Sequence, residues 1–546
     1  MVMGKYILFV FAIFVLASCE NVENSEINYD LEVVELDHDE LIEYRISIKK
    51  NTKEFILEVP GNIFFKAYSA GKIVFENNKG EIIPELQNSH SESIKILPYT
   101  TSKRYLFTRI EGDVLKLVFK KKSLVDKAQI KLFSVQGGEQ RNIKSLSKNF
   151  KDSKLPIISI NTGKQIITDT NKIFADYKIF DEKENNLSNS PNQLGKIKIK
   201  IRGSSSKAFP KQSYSIKTYN NKFKKENVSL LNLPKENEWV LYAPFIDYSL
   251  MRNVIAYDLS RKMGHYSPRT KYCHLIINNN YRGIYILTEK IKVDKNRVNI
   301  KKSKKNKFSG AFIIKLDKGK GEVWRSPYKA QVDTGFGKWF FYVYPKPQNL
   351  SVSQKKEISQ YVSDFEKAIV ENKNWKDYID VESFIDYQIL MEVSKNVDAY
   401  RLSLYFNKNK EGKLKIEPVW DMNLSFGLTS YYNGYVVEGL MYKDKATPFW
   451  WTSFLKDDEY RSLFLKRWKE YRGSFLSIAE LHRLIDKNYK KLSGEVAYNT
   501  YKWNIFQEQS NWRKYDQKNY KESVDYLKTW SKERLLYLDK VFKELE

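Results

Sequence analysis

The sequence holds only two cysteines, Cys19 and Cys273, and five histidines in 546 residues. Cys19 closes an N-terminal leader, so Cys273 is left without a partner for an intramolecular disulfide. Within KYCHLIINN, an apolar strand pattern, Cys273 reads as a small buried hydrophobe. The histidines, at 38, 90, 265, 274 and 482, show no metal-ligand spacing, which argues against zinc chemistry. Neither a Ser/His/Asp triad nor a Cys/His pair stands out as a nucleophilic site. Acidic residues are also short, 66 against 93 lysines and arginines, which leaves a net charge of +27. The lysines are spread along the chain and no nucleic-acid-binding signature accompanies them, so nucleic acid is not the expected partner.

The leader sets the compartment. Lys5 gives a positive start, Tyr6 to Leu16 an apolar run too short to span a bilayer, and Leu16-Ala17-Ser18-Cys19 resembles a bacterial lipobox. Residues 1–18 are therefore read as a lipoprotein signal peptide. Cys19 is expected to be lipidated and to tether the chain to a membrane of the cell envelope, on its periplasmic face or at the cell surface.

Length fits about two to four domains. Residues 19–30, polar and acidic, suit a tether. From 31 to 150, short alternating segments such as EFILEV, DVLKLVFK and AQIKLFSV are separated by turn residues, which predicts a β-sandwich of immunoglobulin-like or carbohydrate-binding-like type. It is expected to bind glycan or protein, or to act as a spacer. From 151 to 546 a mixed α and β pattern follows, with a helical C-terminal part, so the fold class is α+β. Lys196 to Arg202 and Tyr214 to Tyr219 alternate as strands around Gly203-Ser204-Ser205-Ser206. Asp247 is placed to cap a helix carrying Leu250, Val254, Ile255 and Leu259, which Gly264 closes. Asn253 on that helix is either a satisfied interior amide or a site contact.

The most informative stretch is SKNVDAYRLSLYFNKNKEGKLKIEPVWDMNLSFG, residues 394–427. Arg401 to Phe406 and Lys413 to Val419 alternate on either side of turn residues 407–412, which predicts a β-hairpin. Its ends carry Asn396-Val397-Asp398 and Trp420-Asp421-Met422-Asn423, so Asp398 and Asp421 should lie side by side. Both can be simple turn residues. They can equally be hard oxygen ligands for Mg²⁺, or one of them can accept a proton. Trp420, Leu424 and Phe426 place Asp421 against an apolar wall, where a carboxylate needs a cation or hydrogen bonds.

NVDAYRLS and PVWDMNLSFG resemble the signature of the CotH (spore coat protein H) kinase family. KIKIRGSSSKAFPKQSYSIK, EWVLYAPFIDYSLMRNVIAYDLSRKMG, YRGIYILTEKIKVDKNRVNI and GAFIIKLDK agree in order, over roughly residues 155–540. The resemblance implies an atypical protein-kinase-like fold that transfers the γ-phosphoryl of ATP to protein hydroxyls in the envelope with Mg²⁺ or Mn²⁺. Carried onto this chain it makes Asp398 the catalytic base and Asp421, with Asn423, the metal ligand. Arg202 and Lys211 would meet the phosphates, and Glu289 would orient Lys211. In ordinary kinases an Asn stands five positions after the catalytic Asp, and here Ser403 takes that place. ATP is scarce outside the cytoplasm, so a catalytically inactive, surface-anchored binding or assembly protein on the same fold is the alternative.

Overall fold

The computed structural model describes, before residue 153, only the backbone of twelve strands between Tyr29 and Ser134. From 153 onward it describes everything except residues 304–307, 319–320, 329–338 and 504–516. The leader, Cys19, His38 and His90 lie outside the described residues. The chain forms two compact units, residues 1–146 with 205–210, and residues 147–204 with 211–546.

The first unit contains two four-stranded antiparallel sheets. One runs Tyr29–Leu36, Leu41–Ile48, Leu115–Lys120, Phe65–Tyr68. The other runs Lys131–Ser134, Glu54–Pro60, Ser102–Thr108, Ile94–Leu97. The first strand starts two residues inside the stretch read as tether. The predicted Ser-rich turn at 203–206 folds as a 3-10 turn over Ser205–Ala208.

The second unit begins with seven strands: β1 (Ile157–Asn161), β2 (Ile173–Phe180), β3 (Gln193–Arg202), β4 (Ser213–Tyr219), β5 (Glu238–Tyr242), β6 (Thr270–Ile277) and β7 (Asn280–Glu289). Alternation decides which side chains go inward. In β3, Ile197 and Ile199 are buried while Lys196, Lys198 and Lys200, which alternate with them, stay half-exposed. The strands close into a barrel in the order β1-β2-β3-β4-β5-β7-β6, because β1 pairs antiparallel with β2 and in parallel with β6. Closure leaves no free edge. It is the largest departure from the mixed α/β core expected above, and it depends on a pairing between segments more than a hundred residues apart, which no local pattern announces.

Helix α1 (Arg252–Lys262) lies between β5 and β6. Asp247 does not occupy the N-cap position, but its carboxylate accepts from the Arg252 backbone N–H at 2.9 Å and from Ser249 Oγ at 2.6 Å, so it does the work of a cap. Arg252 pairs with it and donates onward to the Ser425 and Phe426 carbonyls at 3.0 and 3.2 Å. The helix N-terminus is thereby fixed to the segment that follows Asp421.

A second sheet has the order β9 (Val323–Arg325), β10 (Trp339–Tyr344), β8 (Phe312–Asp317), β11 (Leu404–Lys408), β12 (Lys415–Ile416). The pair β11–β12, joined at Phe406↔Ile416 and Asn407↔Lys415, is the predicted hairpin with shorter strands. The remaining helices are α2 (Val352–Val370), α3 (Val381–Ser394), α4 (Trp450–Phe454), α5 (Asp458–Arg472), α6 (Ile478–Leu492), α7 (Val496–Trp503), which lies against β7 of the barrel, and α8 (Tyr520–Lys543). Ile358, Val362, Phe365 and Ile369 on α2 and Phe384, Tyr387, Leu390 and Met391 on α3 are buried in one core with Trp450, Trp451 and Phe454. Among the described residues no helix is long and apolar enough to cross a membrane.

Candidate functional site

Helix α3 ends at Lys395, in left-handed conformation with φ 42°, and the chain turns at once into Asn396-Val397-Asp398. The hairpin returns the chain to the same place. The Val397 N–H donates to the Leu424 carbonyl at 3.2 Å, the Phe426 N–H to the Ser394 carbonyl at 2.6 Å, and the Asn396 amide reaches the Asp421 carbonyl at 3.5 Å. These bonds clamp the two acidic segments together.

Asp398 is held by its own turn, its N–H donating to Asn396 Oδ1 at 3.1 Å. Arg401, nearly fully buried, lies 3.6 Å from the Asp398 carboxylate, donates to the Val397 carbonyl at 2.7 Å, and stacks 4.0 Å over the Tyr432 ring. Burial raises the Asp398 carboxyl above its ordinary range, Arg401 and Lys318 oppose the shift, and Asp317 adds to it.

Asp421 holds a left-handed backbone at φ 60°. The residue presents exposed surface, yet protein crowds its carboxyl, which is pushed up to about 6 by burial and then by Asp398 and Asp317, while Arg202 and the Ser403 hydroxyl pull it down. Surface exposure governs access to this group; the upward direction rests on the two neighbouring carboxylates as well as on burial. Asp317 ends β8, whose Leu316 pairs with Leu404 at the start of β11, so the register brings a third carboxylate to Asp398 and Asp421. The Arg202 guanidinium, at the end of β3, lies 5.6 Å over Trp420. Tyr257 of α1 stacks on the same Trp420 ring, with centroids 6.3 Å apart, and meets the Asp421 backbone. Asn423 is half-buried two residues beyond Asp421.

Lys211 and Glu289 do not form the predicted pair. Lys211 points into the barrel wall, where its amine donates to the Ile284 carbonyl and to Asn499 Oδ1, both at 2.7 Å, and burial lowers its pKa well below the usual range. Glu289 is fully buried and accepts from the Arg269 backbone at 3.0 Å and guanidinium at 2.9 and 3.1 Å, with Arg297 at 3.8 Å. The cause is strand register: the Glu289 N–H donates to the Arg269 carbonyl across β6 and β7, so the nearest cation to Glu289 is fixed by pairing. Of the expected site, then, Asp398, Asp421 and Arg202 come together, and Lys211 and Glu289 are engaged elsewhere. Asp317, Tyr257 and Arg401 were not foreseen as site residues; an Asp closing the apolar run FIIKLD was the available signal for the first.

The segment after Asp421 is fastened from behind. Four residues of α8 hold it. Tyr526 donates to the Gly427 carbonyl (2.7 Å), Trp530 to that of Tyr435 (2.8 Å) and Arg534 to that of Gly439 (2.7 Å), while Tyr537 accepts from the Gly439 N–H (2.9 Å). The Lys395 ammonium adds bonds to the carbonyls of Asn433, Val436 and Glu438. Arg534 is itself buried against Glu392 at 3.1 Å.

The oxygen donors at this cluster fit a hard divalent cation. Among the described residues no three His, Cys, Asp or Glu side chains are gathered closely enough to hold a metal. Mg²⁺ does not require such a cage, since it is commonly bound through one or two carboxylates together with nucleotide phosphates. An orphaned buried amide oxygen, Oδ1 of Asn253, stands on the helix that supplies Tyr257.

A domain of mixed helices and sheets, with carboxylates at strand ends beside two arginines, is the class to which comparison with known proteins adds a family. The family model "CotH kinase protein" matches residues 199–538, more than half of the chain. The chain belongs to the CotH kinase family. Among solved structures, that of a Helicobacter pylori proinflammatory kinase, CtkA, overlaps 61% of this chain and 94% of its own at 10% identity. The TM-score is 0.22, and an overlap at that score carries no argument. No curated protein matches the chain.

Proposed function

We propose that this protein is an exported, lipid-anchored kinase that transfers the γ-phosphoryl of ATP to a hydroxyl of an envelope protein. The observation that carries the reading is the convergence of Asp398 and Asp421 at the two ends of one hairpin, with the Asp421 carboxyl pushed up to about 6 by its neighbours. Perturbed carboxylates in such a setting are the usual mark of acid–base or ligand chemistry. A divalent cation, when bound, neutralises phosphate charge. Asp421 would hold it, with Asn423 as the nearby amide.

Asp398 accepts the proton of the attacking hydroxyl, and its raised affinity for protons suits that role. The hydroxyl oxygen bonds to the γ-phosphorus as the bond to the β–γ bridging oxygen breaks, so the products are a phosphoester, ADP and a proton on Asp398. Arg202, resting on Trp420, faces the same cluster and would meet phosphate charge. The N-terminal sheets would form a β-sandwich that grips glycan or protein near the membrane, and Cys19 would carry the anchor.

The test is incubation of the lipid-free protein with γ-labelled ATP and Mg²⁺ or Mn²⁺. Asp421→Asn should lose metal-dependent nucleotide binding and transfer together. Asp398→Asn should keep binding and lose transfer by ~10²-fold or more. If the wild type binds no nucleotide with either metal, the surface-anchored interaction protein replaces this reading.

A further inference from the structure

Asn253 is a buried amide whose Oδ1 has no hydrogen-bond partner among the described residues. Its surroundings are otherwise well satisfied: Asp247, Ser249 and Arg252, within six residues of it, form one closed network. An acceptor left dry in such company costs stability, and its retention calls for a ligand.

The helix says where that oxygen faces. Asn253 and Tyr257 are four residues apart on α1 and so share a face. Helical side chains lean toward the N-terminus, so the Tyr257 ring covers the turn that carries Asn253. Tyr257 reaches the Asp421 backbone and the Trp420 ring. Arg252, next to Asn253, ties the same turn to the carbonyls of Ser425 and Phe426. The orphaned oxygen therefore lies on the face turned toward the Asp421 segment.

Only a cation or a hydrogen-bond donor can satisfy it. Where ordinary kinases place a metal-binding Asn after the catalytic Asp, this chain has Ser403, whose hydroxyl is committed to Asp421. One or two carboxylates leave coordination positions of a divalent cation open to phosphate, water and neutral protein oxygens. We infer that Asn253 Oδ1 is a ligand of the divalent cation that accompanies the nucleotide at Asp421. The inference rests on the kinase reading above and assigns a binding residue to it from outside the hairpin.

The experiment follows free Mn²⁺ by electron paramagnetic resonance as it is titrated into the full lipid-free protein with a non-hydrolysable ATP analogue, beside thermal denaturation of the same samples. Asn253→Leu keeps size and removes the amide. It is expected to bind Mn²⁺ at least tenfold more weakly while melting no lower than wild type. Asn253→Asp, which restores an oxygen, is expected to bind within a few-fold of wild type. Unchanged Mn²⁺ affinity in Asn253→Leu overturns the assignment and leaves the kinase reading standing. Absence of Mn²⁺-nucleotide binding by the wild type overturns both. Should the Leu variant not fold, Asn253→Gln, which displaces the oxygen by one methylene, takes its place, and equal affinity there also overturns the assignment.

Discussion

The Ser403 hydroxyl acts on the Asp421 carboxylate, drawing its pKa down, and both residues hold left-handed backbone, at φ 52° and 60°. Non-glycine residues adopt that conformation at a cost, which the packed hairpin and its clamps sustain. The hydroxyl favours the charged form of Asp421, the form a cation needs. Ser403→Ala should therefore move the lower pH limit of Mn²⁺-nucleotide binding upward relative to wild type. Calorimetric titrations between pH 5 and 8 provide the check, and superimposable profiles would remove Ser403 from the site.

Asp421 also predicts a trade between stability and function. Its carboxyl binds a proton more tightly in the folded protein than in the unfolded chain, so its stabilising contribution is full below the unfolded value near 3.8. That contribution is lost as pH rises through about 6. Metal-free Asp421→Asn should melt above wild type at pH 7.5, and the gap should close as pH falls toward 4. Thermal scans across that range decide it, and a constant gap would contradict the shift.

Lys211 should be dispensable for nucleotide. Lys211→Met is expected to bind ATP within about twofold of wild type, since the amine is spent on Ile284 and Asn499. Because the folded pKa is depressed, the unfolded chain takes up a proton that the folded one refuses, and this weakens wild type progressively as pH drops below about 10.5. The stability of the Met variant relative to wild type should then rise from pH 9 to pH 6, as urea denaturation would reveal. A large loss of ATP affinity would return Lys211 to the site.

Arg534→Gln removes the cation from a fully buried pair and three carbonyl contacts with it. Glu392 then keeps its bonds from Tyr400 and from the Met441 and Tyr442 N–H groups but loses its cation, which is expected to cost up to about 3–5 kcal/mol. Proteolysis should begin within residues 427–439. Intact kinetics of digestion would mean that the remaining contacts suffice to hold the segment.

Cys19→Ala should release the protein from the membrane fraction, because each buried acyl CH₂ contributes about 0.8 kcal/mol to anchoring. Pelleting that survives a high-salt wash would refute lipid attachment.

Patterns confined to one element read well from the sequence. The hairpin and the end of α1 near Gly264 both depend on local periodicity and turn residues. Convergence of Asp398 with Asp421 was legible for the same reason, since one hairpin joins them. Glu289 was misread because its partner is set by the pairing of β6 with β7, and charge complementarity alone cannot choose between Arg269 and Lys211. Asp317 belongs to a strand that meets the hairpin only in three dimensions. The orphaned oxygen of Asn253 is a property of packing, which a sequence cannot display.

The grip of α8 on residues 427–439 has a consequence in time. Tyr526, Trp530, Arg534 and Tyr537 follow the groups they hold by 95 to 99 residues, so a growing polypeptide lacks the fastening for the segment beyond Asp421 until α8 has been made. A chain that folds as it is made would complete this assembly after the barrel and the hairpin. The order of the elements thus acts as a delay, withholding the finished site until α8 is added.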